Sequence, residues 1–447
     1  MLTLPLWSQA DDSSVAGQPN APDNGQEMAE PSDARMHTPP VVSGESYSAE
    51  PAMEERSNYL RAGMAFTSAY GNNAFATTNG KPVSEMNYSV YPTIALDQTT
   101  SRLHSVLTYA PGFTFYQQTS YLNASNQNAS IDVQYRLTPH LTLNGKDSLQ
   151  KSSSVFNQSD FAGAEAVGGG AQEPNFSVIA PAADFLRNAG NAGFSDQFAQ
   201  NQMVGASGTF SSQSYSDLKQ VSGLYDSRSQ AGSAFYSFRA SRMHYLGATY
   251  QYQRLLANPG AGLSETQTHA VLLFYTLYPS ARFTVSFFGG PQHSDTVQPP
   301  LSGVRFPASR AWNPAAGTSL SWQGRLTGFA FSYSHIISGG SGLMGAVHMD
   351  NATMSLRQQV KRSFSGSLSG SYVQNDVIGS LLAGTYNGHT LSGTLAVEKQ
   401  FRTALTLQLG YTRLRQDYTG VAVLSQIPNT NREFVSLSYS FSRPLGR

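Results

Sequence analysis

Val435-Ser-Leu-Ser-Tyr-Ser-Phe441 is the stretch that decides the fold. In an extended chain successive side chains point to opposite faces. Val435, Leu437, Tyr439 and Phe441 therefore share one face, and Ser436, Ser438 and Ser440 the other. The first face needs an apolar medium and the second a wet one. In a soluble sandwich the wet face looks at bulk water and carries Lys and Glu; here it carries only hydroxyls. Lipid on one side and a water-filled interior on the other satisfy both faces of such a strand.

Working outward, the same period recurs. Leu405, Leu407, Leu409 and Tyr411 alternate with Thr406, Gln408, Gly410 and Thr412. Met86, Tyr88, Val90, Pro92, Ile94 and Leu96 alternate with Asn87, Ser89, Tyr91, Thr93 and Asp97. Further segments of this kind begin near residues 103, 128, 141, 192, 203, 231, 244, 266, 281, 316, 325, 347, 362 and 388, and one runs from Asn58 to Tyr70. The expectation is about 18 strands, within a range of 16–18. Connections alternate in length. Pro139-His140, Pro279-Ser280 and Gln400-Phe401 are tight, whereas 71–83, 151–190, 212–229, 291–309 and 416–429 are long. Short periplasmic turns, long outer loops and an even count returning both barrel ends to the periplasmic side describe a transmembrane antiparallel up-and-down β-barrel. Soluble sandwiches and propellers also alternate. Against them stand the Ser, Thr, Gly, Asn and Gln of the polar faces. Aromatics also gather near strand ends, at Phe113, Phe115, Tyr250, Tyr252, Tyr411, Tyr439 and Phe441, as in membrane girdles.

Composition agrees. Charged residues are 13% of the 447, about half the usual share for soluble domains, while Tyr and Phe number 23 and 24 and Gly 40. Mean hydropathy is −0.30, and no apolar run approaches the ~18 residues of a spanning helix. The longest, Ala270 to Tyr278, has nine residues, the length of one spanning strand. Cysteine is absent, which excludes disulfides and thiolate chemistry. The barrel is expected over 58–447. Residues 1–57 read as a disordered, acidic, Pro-rich periplasmic leader with ten acids against two bases, leaving the remainder at +8. Met1 to Ala10 resembles the tail of a signal peptide without its basic start, which reads as a truncated start or as a plain disordered terminus.

Ser89-Val-Tyr-Pro-Thr-Ile-Ala-Leu-Asp97, Tyr109-Ala-Pro-Gly-Phe-Thr-Phe-Tyr116, Val133-Gln-Tyr-Arg-Leu-Thr-Pro-His140 and Phe441-Ser-Arg-Pro-Leu-Gly-Arg447 give residues 58–447 a resemblance to the uncharacterised porin-like outer-membrane barrels of Gram-negative soil bacteria. The resemblance lies in strand pattern and brings no catalytic residues. The last strand also resembles the signal read by the barrel-assembly machinery, with Tyr439 and Phe441 at alternating positions; six residues follow Phe441, where such signals usually stop on an aromatic, and Ser436 stands where Gly is common.

Candidate sites are few. Histidines 37, 104, 140, 244, 269, 293, 335, 348 and 389 show no metal-ligand spacing, no GxSxG elbow is present, and Gly168-Gly-Gly170 lacks the lysine of a phosphate loop. No catalytic, metal or cofactor residue is expected. The connection 151–190 is the exception at about 40 residues. Folded inward, its Asp160, Glu165 and Glu173 would face Arg136, Arg239 and Arg357, which alternation turns to the lumen, and form a constriction; otherwise it lies over the mouth or outside. Ala180 to Ala189 is a candidate short helix with Pro181 in its first turn. Arg413 and Arg415 continue the lipid-facing row past Leu409 and Tyr411, as lipopolysaccharide contacts or as plain surface charge. Two function readings follow. One is a porin for passive diffusion of small hydrophilic solutes; the other is a non-channel surface adhesin or a barrel of an export complex. Expected partners are outer-membrane lipid and lipopolysaccharide, the assembly machinery and small solutes, with no nucleic acid; a monomer and a homo-oligomer both stay open.

Overall fold

The computed structural model describes residues 36–37, 39, 57–72, 84–152, 184–216, 225–258, 263–298, 308–340, 344–378, 387–401, 404–419 and 430–445. Within them the strand segments are β1 Ser57–Gly71, β2 Glu85–Thr99, β3 Leu103–Tyr109, β4 Gly112–Tyr116, β5 Ala124–Arg136, β6 Leu141–Ser152, β7 Phe185–Ala199, β8 Gln202–Tyr215, β9 Asp226–Arg239 and β10 His244–Asn258. They continue as β11 Ser264–Ser280, β12 Phe283–Val297, β13 Ser309–Gln323, β14 Thr327–Gly340, β15 Met344–Lys361, β16 Phe364–Val377, β17 Asn387–Phe401, β18 Leu405–Thr419 and β19 Thr430–Pro444. Each pairs antiparallel with its neighbour, and β1 pairs with β19, so the sheet closes. β3 and β4 both pair with β2 and β5 and occupy one place, which makes an 18-position barrel. The break falls at Ala110-Pro111, where proline has no N–H to give the ladder; the Ala110 N–H still donates to Asn128 O at 2.8 Å.

One rim holds the tight turns, several closed by a hydroxyl. Thr138 Oγ1 accepts from the N–H of Leu141 at 2.9 Å, and Ser241 Oγ from that of Met243 at 3.2 Å. β1 starts and β19 ends at this rim, where the Leu445 N–H donates to Asn58 O at 2.8 Å. Short turns mark the periplasmic end of membrane barrels.

The outer face is an apolar band. Val435, Leu437, Tyr439 and Phe441 all point outward, beside Leu409, Phe66 and Met64. Leu273 at 66% and Leu395 at 54% exposure would be costly in water and are well placed in lipid. Three of the histidines stand on this face as polar tips among the aromatic rings: Tyr250 Oη lies 2.8 Å from His269 Nδ1, His244 Nδ1 2.6 Å from Tyr275 Oη, and the His293 and Trp312 rings 4.9 Å apart. One carboxylate breaks the band. Asp147 lies between the outward Leu143 and Leu149, opposite Ile131 and Gly190, and accepts from Asn188 Nδ2 at 3.1 Å.

Two expectations need correction. The helix at Ala180 to Ala189 does not form over its described part: from Phe185 the chain is β7, laddered to β6 and β8 on both sides. Two ladders outweigh the helical propensity of scattered alanines. Strands also run further outward than their alternation suggests. β12 passes through Pro291 to Val297 and β13 starts at Ser309, with Pro291 opposite Pro314. Beyond the bilayer both faces tolerate polar residues, so the period fades while the ladder continues. The constriction acids Asp160, Glu165 and Glu173, the Met1 to Ala10 stretch and most of the leader lie outside the described residues.

Candidate functional site

The inner wall is the only surface with the makings of a site among the described residues. Ser and Thr are its commonest side chains, and several pair across adjacent strands. Ser89 and Thr114 meet at 3.0 Å, Ser207 and Ser233 at 2.8 Å, and Thr266 and Thr296 at 3.1 Å. Ser332 and Thr353 meet at 2.6 Å, Ser371 and Ser392 at 2.8 Å, Thr394 and Thr412 at 3.0 Å, and Thr67 and Ser436 at 2.9 Å. These rungs join seven strand pairs of the ring. Each hydroxyl satisfies its neighbour, so these stretches of the wall are polar without carrying charge.

A second device keeps large rings out of the passage. Phe235, Phe274, Phe288, Phe434 and Tyr418 face inward, and each stands in direct register with a glycine on the next strand: Gly205, Gly247, Gly317, Gly410 and Gly388. A Cβ on any of these glycines would overlap the facing ring. The rings therefore lie flat in the wall rather than projecting from it.

Charge on the wall is sparse and biased. By strand alternation Arg61, Arg136, Arg187, Arg239, Arg357, Arg432 and Lys146 face inward, against Glu85, Asp97, Asp132 and Glu398. Arg61 bridges to Asp97 at 2.9 Å, with His104 Nε2 at 3.6 Å from the same carboxylate. Glu85, 1% exposed, accepts from the Gln118 N–H at 2.7 Å and Thr119 Oγ1 at 3.2 Å. Arg136, Arg239 and Arg357 face the lumen as alternation predicts, but on β5, β9 and β15 and toward the periplasmic end. They are not brought together. Arg239 ends β9 and donates to Asn201 Oδ1 at 3.0 Å and Gln200 O at 2.9 Å, tied to the neighbouring turn.

Both ends of the lumen carry apolar contacts that no alternation reveals. At the outer end Leu255 of β10 packs with Ile337 of β14, Ala346 of β15 and Ile378 in one buried cluster. The β14–β15 hairpin thus reaches toward β10, aided by a register shift at Gly339 and Gly340. At the periplasmic end Met36 packs against Met203, Phe235, Tyr245, Leu272 and Phe274. The nine-residue run from Ala270 explains itself here: β11 is apolar on both faces, with Val271 and Leu273 to lipid and Ala270, Leu272 and Phe274 inward. Gln197, Tyr245 and Tyr278, which complete this contact, carry no signal in the sequence, since their partner is far along the chain.

On the outer face Arg413 and Arg415 sit exposed above Leu409 and Tyr411, opposite Gly393 and Leu391. Tyr439 and Phe441 point outward with rings 6.4 Å apart.

No family model matches the sequence, and no curated protein does. Solved structures of similar shape include OccK2 (OpdF) of Pseudomonas aeruginosa, with TM-score 0.42 and 9% identity over 86% of this chain and 98% of that one. The outer-membrane protein OpdK of the same organism gives 0.40 and 10% over 86% and 99%. The FrpB iron transporter of Neisseria meningitidis gives 0.40 and 10% over 85% and 81%. Likeness at this level says nothing about what passes through the barrel.

Proposed function

We propose that the chain is an outer-membrane channel for passive diffusion of small hydrophilic solutes. The observation that carries the reading is the ring of self-paired hydroxyls: a wall so lined stays wet, and an 18-position barrel is wide enough to enclose water. A transport role needs no reacting group, and among the described residues the wall offers hydrogen bonds without a clustered nucleophile and base. Its inward bases outnumber its acids, so anions are favoured mildly. If the connection beyond β6 enters the lumen, Asp160, Glu165 and Glu173 oppose that bias, and deleting residues 158–175 shifts selectivity toward anions. Outside the lumen, the exposure of Arg413 and Arg415 beyond the apolar band supports a contact with lipopolysaccharide phosphates, and the outward Tyr439 and Phe441 support a role as the assembly signal.

A second reading, a surface or export-complex barrel that does not conduct, is favoured by the apolar contacts at both ends of the lumen. Liposome swelling separates the two. Vesicles holding the refolded protein swell in a small neutral sugar if the channel reading is right; vesicles with a folded barrel that swell no faster than empty ones support the second.

A further inference from the structure

One region of the inner wall does not suit a wet channel. Met203, Phe235, Leu272 and Phe274 turn apolar side chains inward from β8, β9 and β11, and all are buried. The residue packed among them is Met36, 5% exposed, which belongs to no strand. Its N–H donates to Gln197 Oε1 at 3.0 Å. His37 sets its ring 4.9 Å from that of Tyr278 and 6.0 Å from that of Tyr245. Gln197, Tyr245 and Tyr278 sit next to the tight turns, which puts the contact in the periplasmic half of the lumen. β1 begins at Ser57, half-way round the ring from β10 and β11.

We propose that Met36 and His37 are an internal ligand of this wall, docked in the folded protein and holding the periplasmic half of the channel narrower than its strands alone would make it. The apolar patch supplies the reason: inward Leu272 and Phe274 left against water would lose the gain of burial, and Met36 covers them with a flexible side chain suited to an irregular surface. Directionality comes from the Gln197 hydrogen bond and from the packed Tyr245–Tyr278 pair against which the imidazole rests. Desolvation of the ring and the Arg239 guanidinium lower the His37 pKa from its usual value, though the residue keeps an exposed edge. The docking half of the inference stands on these contacts alone; the narrowing half rests on the channel reading.

The native chain has no cysteine, so an introduced pair is the only thiol chemistry present. Met36→Cys with Gln197→Cys, treated with a short bismaleimide in the folded full-length protein, should cross-link. Met36→Cys with Ser436→Cys, on the far wall, should not. No cross-link to position 197 in a heat-modifiable barrel, or equal yields for the two pairs, overturns docking. In planar bilayers Met36→Lys with His37→Lys, which sets charge into the apolar patch beside Arg239, should raise unit conductance by about two-fold, as when a narrowest cross-section doubles. Unchanged conductance in that variant overturns the narrowing. No conductance in either protein, with the 36–197 cross-link intact, removes the channel reading while docking stands.

Discussion

Replacing Gly247 by alanine tests the arrangement that keeps the lumen open. Phe274 stands opposite Gly247 in direct register, and a Cβ there would overlap both the Phe274 ring and the Tyr236 carbonyl oxygen. The ring is 3% exposed and enclosed by Met203, Phe235 and Leu272, so it has no room within the wall. It must swing into the lumen, or β10 and β11 must part. Overpacking of this kind costs about 1–3 kcal/mol, and 2 kcal/mol is a factor of about 30 in the folded-to-unfolded ratio. Gly208→Ala is the control. That glycine faces lipid, and a Cβ on it meets only Ala231 O at 3.9 Å, so the change should be neutral or slightly stabilising. Phe274→Ala removes the clash, and Gly247→Ala made on that background should cost about 1–2 kcal/mol less than on the native one. Urea titration of the heat-modifiable band in detergent reads the four variants beside the native protein. Equal midpoints for Gly247→Ala and Gly208→Ala, or an additive double variant, would refute the reasoning.

Leu437→Arg should lower the yield of folded barrel, at a cost of about 2–4 kcal/mol near the bilayer midplane, whereas Ser438→Arg, facing the lumen, should not; equal heat-modifiable yields would reverse the assigned faces. Asp147→Leu should stabilise the barrel by up to about 2 kcal/mol and so raise the urea midpoint, since it restores the band between Leu143 and Leu149; a lower midpoint would mean that the carboxylate has a partner outside this chain. Arg413→Ala with Arg415→Ala should reduce co-purifying lipopolysaccharide and increase detergent sensitivity, and no change in either would leave the two as plain surface charge. The lowered His37 pKa makes the docked form bind protons less readily than the released form, so docking is complete above about pH 6.5 and weakens as pH falls below it. Conductance should therefore rise on acidification, with Arg239, Tyr245 and Tyr278 as the titratable neighbours, and the rise should vanish in His37→Phe.

What the sequence makes legible is whatever depends on a residue's own neighbours. Val435 to Phe441 show the two media directly, and the inward turn of Arg136, Arg239 and Arg357 follows from counting by two. What depends on register is hidden. Gly247 and Phe274 lie 27 positions apart, and only the β10–β11 pairing reveals them as one unit. Leu272 and Phe274 read as a hydrophobic strand core, with nothing nearby to say that Met36 covers them. The missed start of β7 has a different cause: Ala-rich sequence around Phe185 to Ala189 favours a helix locally, and the ladders that override it are non-local. Sequence alone therefore yields the barrel and its faces, while the furnishing of the lumen comes from pairings that span the chain.

The most direct test of the account is the unit conductance and reversal potential of the full-length, refolded, heat-modifiable protein in planar bilayers across a salt gradient. A water-filled lumen lined by paired hydroxyls with an excess of inward bases predicts discrete conducting steps and a reversal potential displaced toward the anion side. A folded barrel that inserts but gives no steps, either as the native chain or with Met36→Lys and His37→Lys in place, would contradict it.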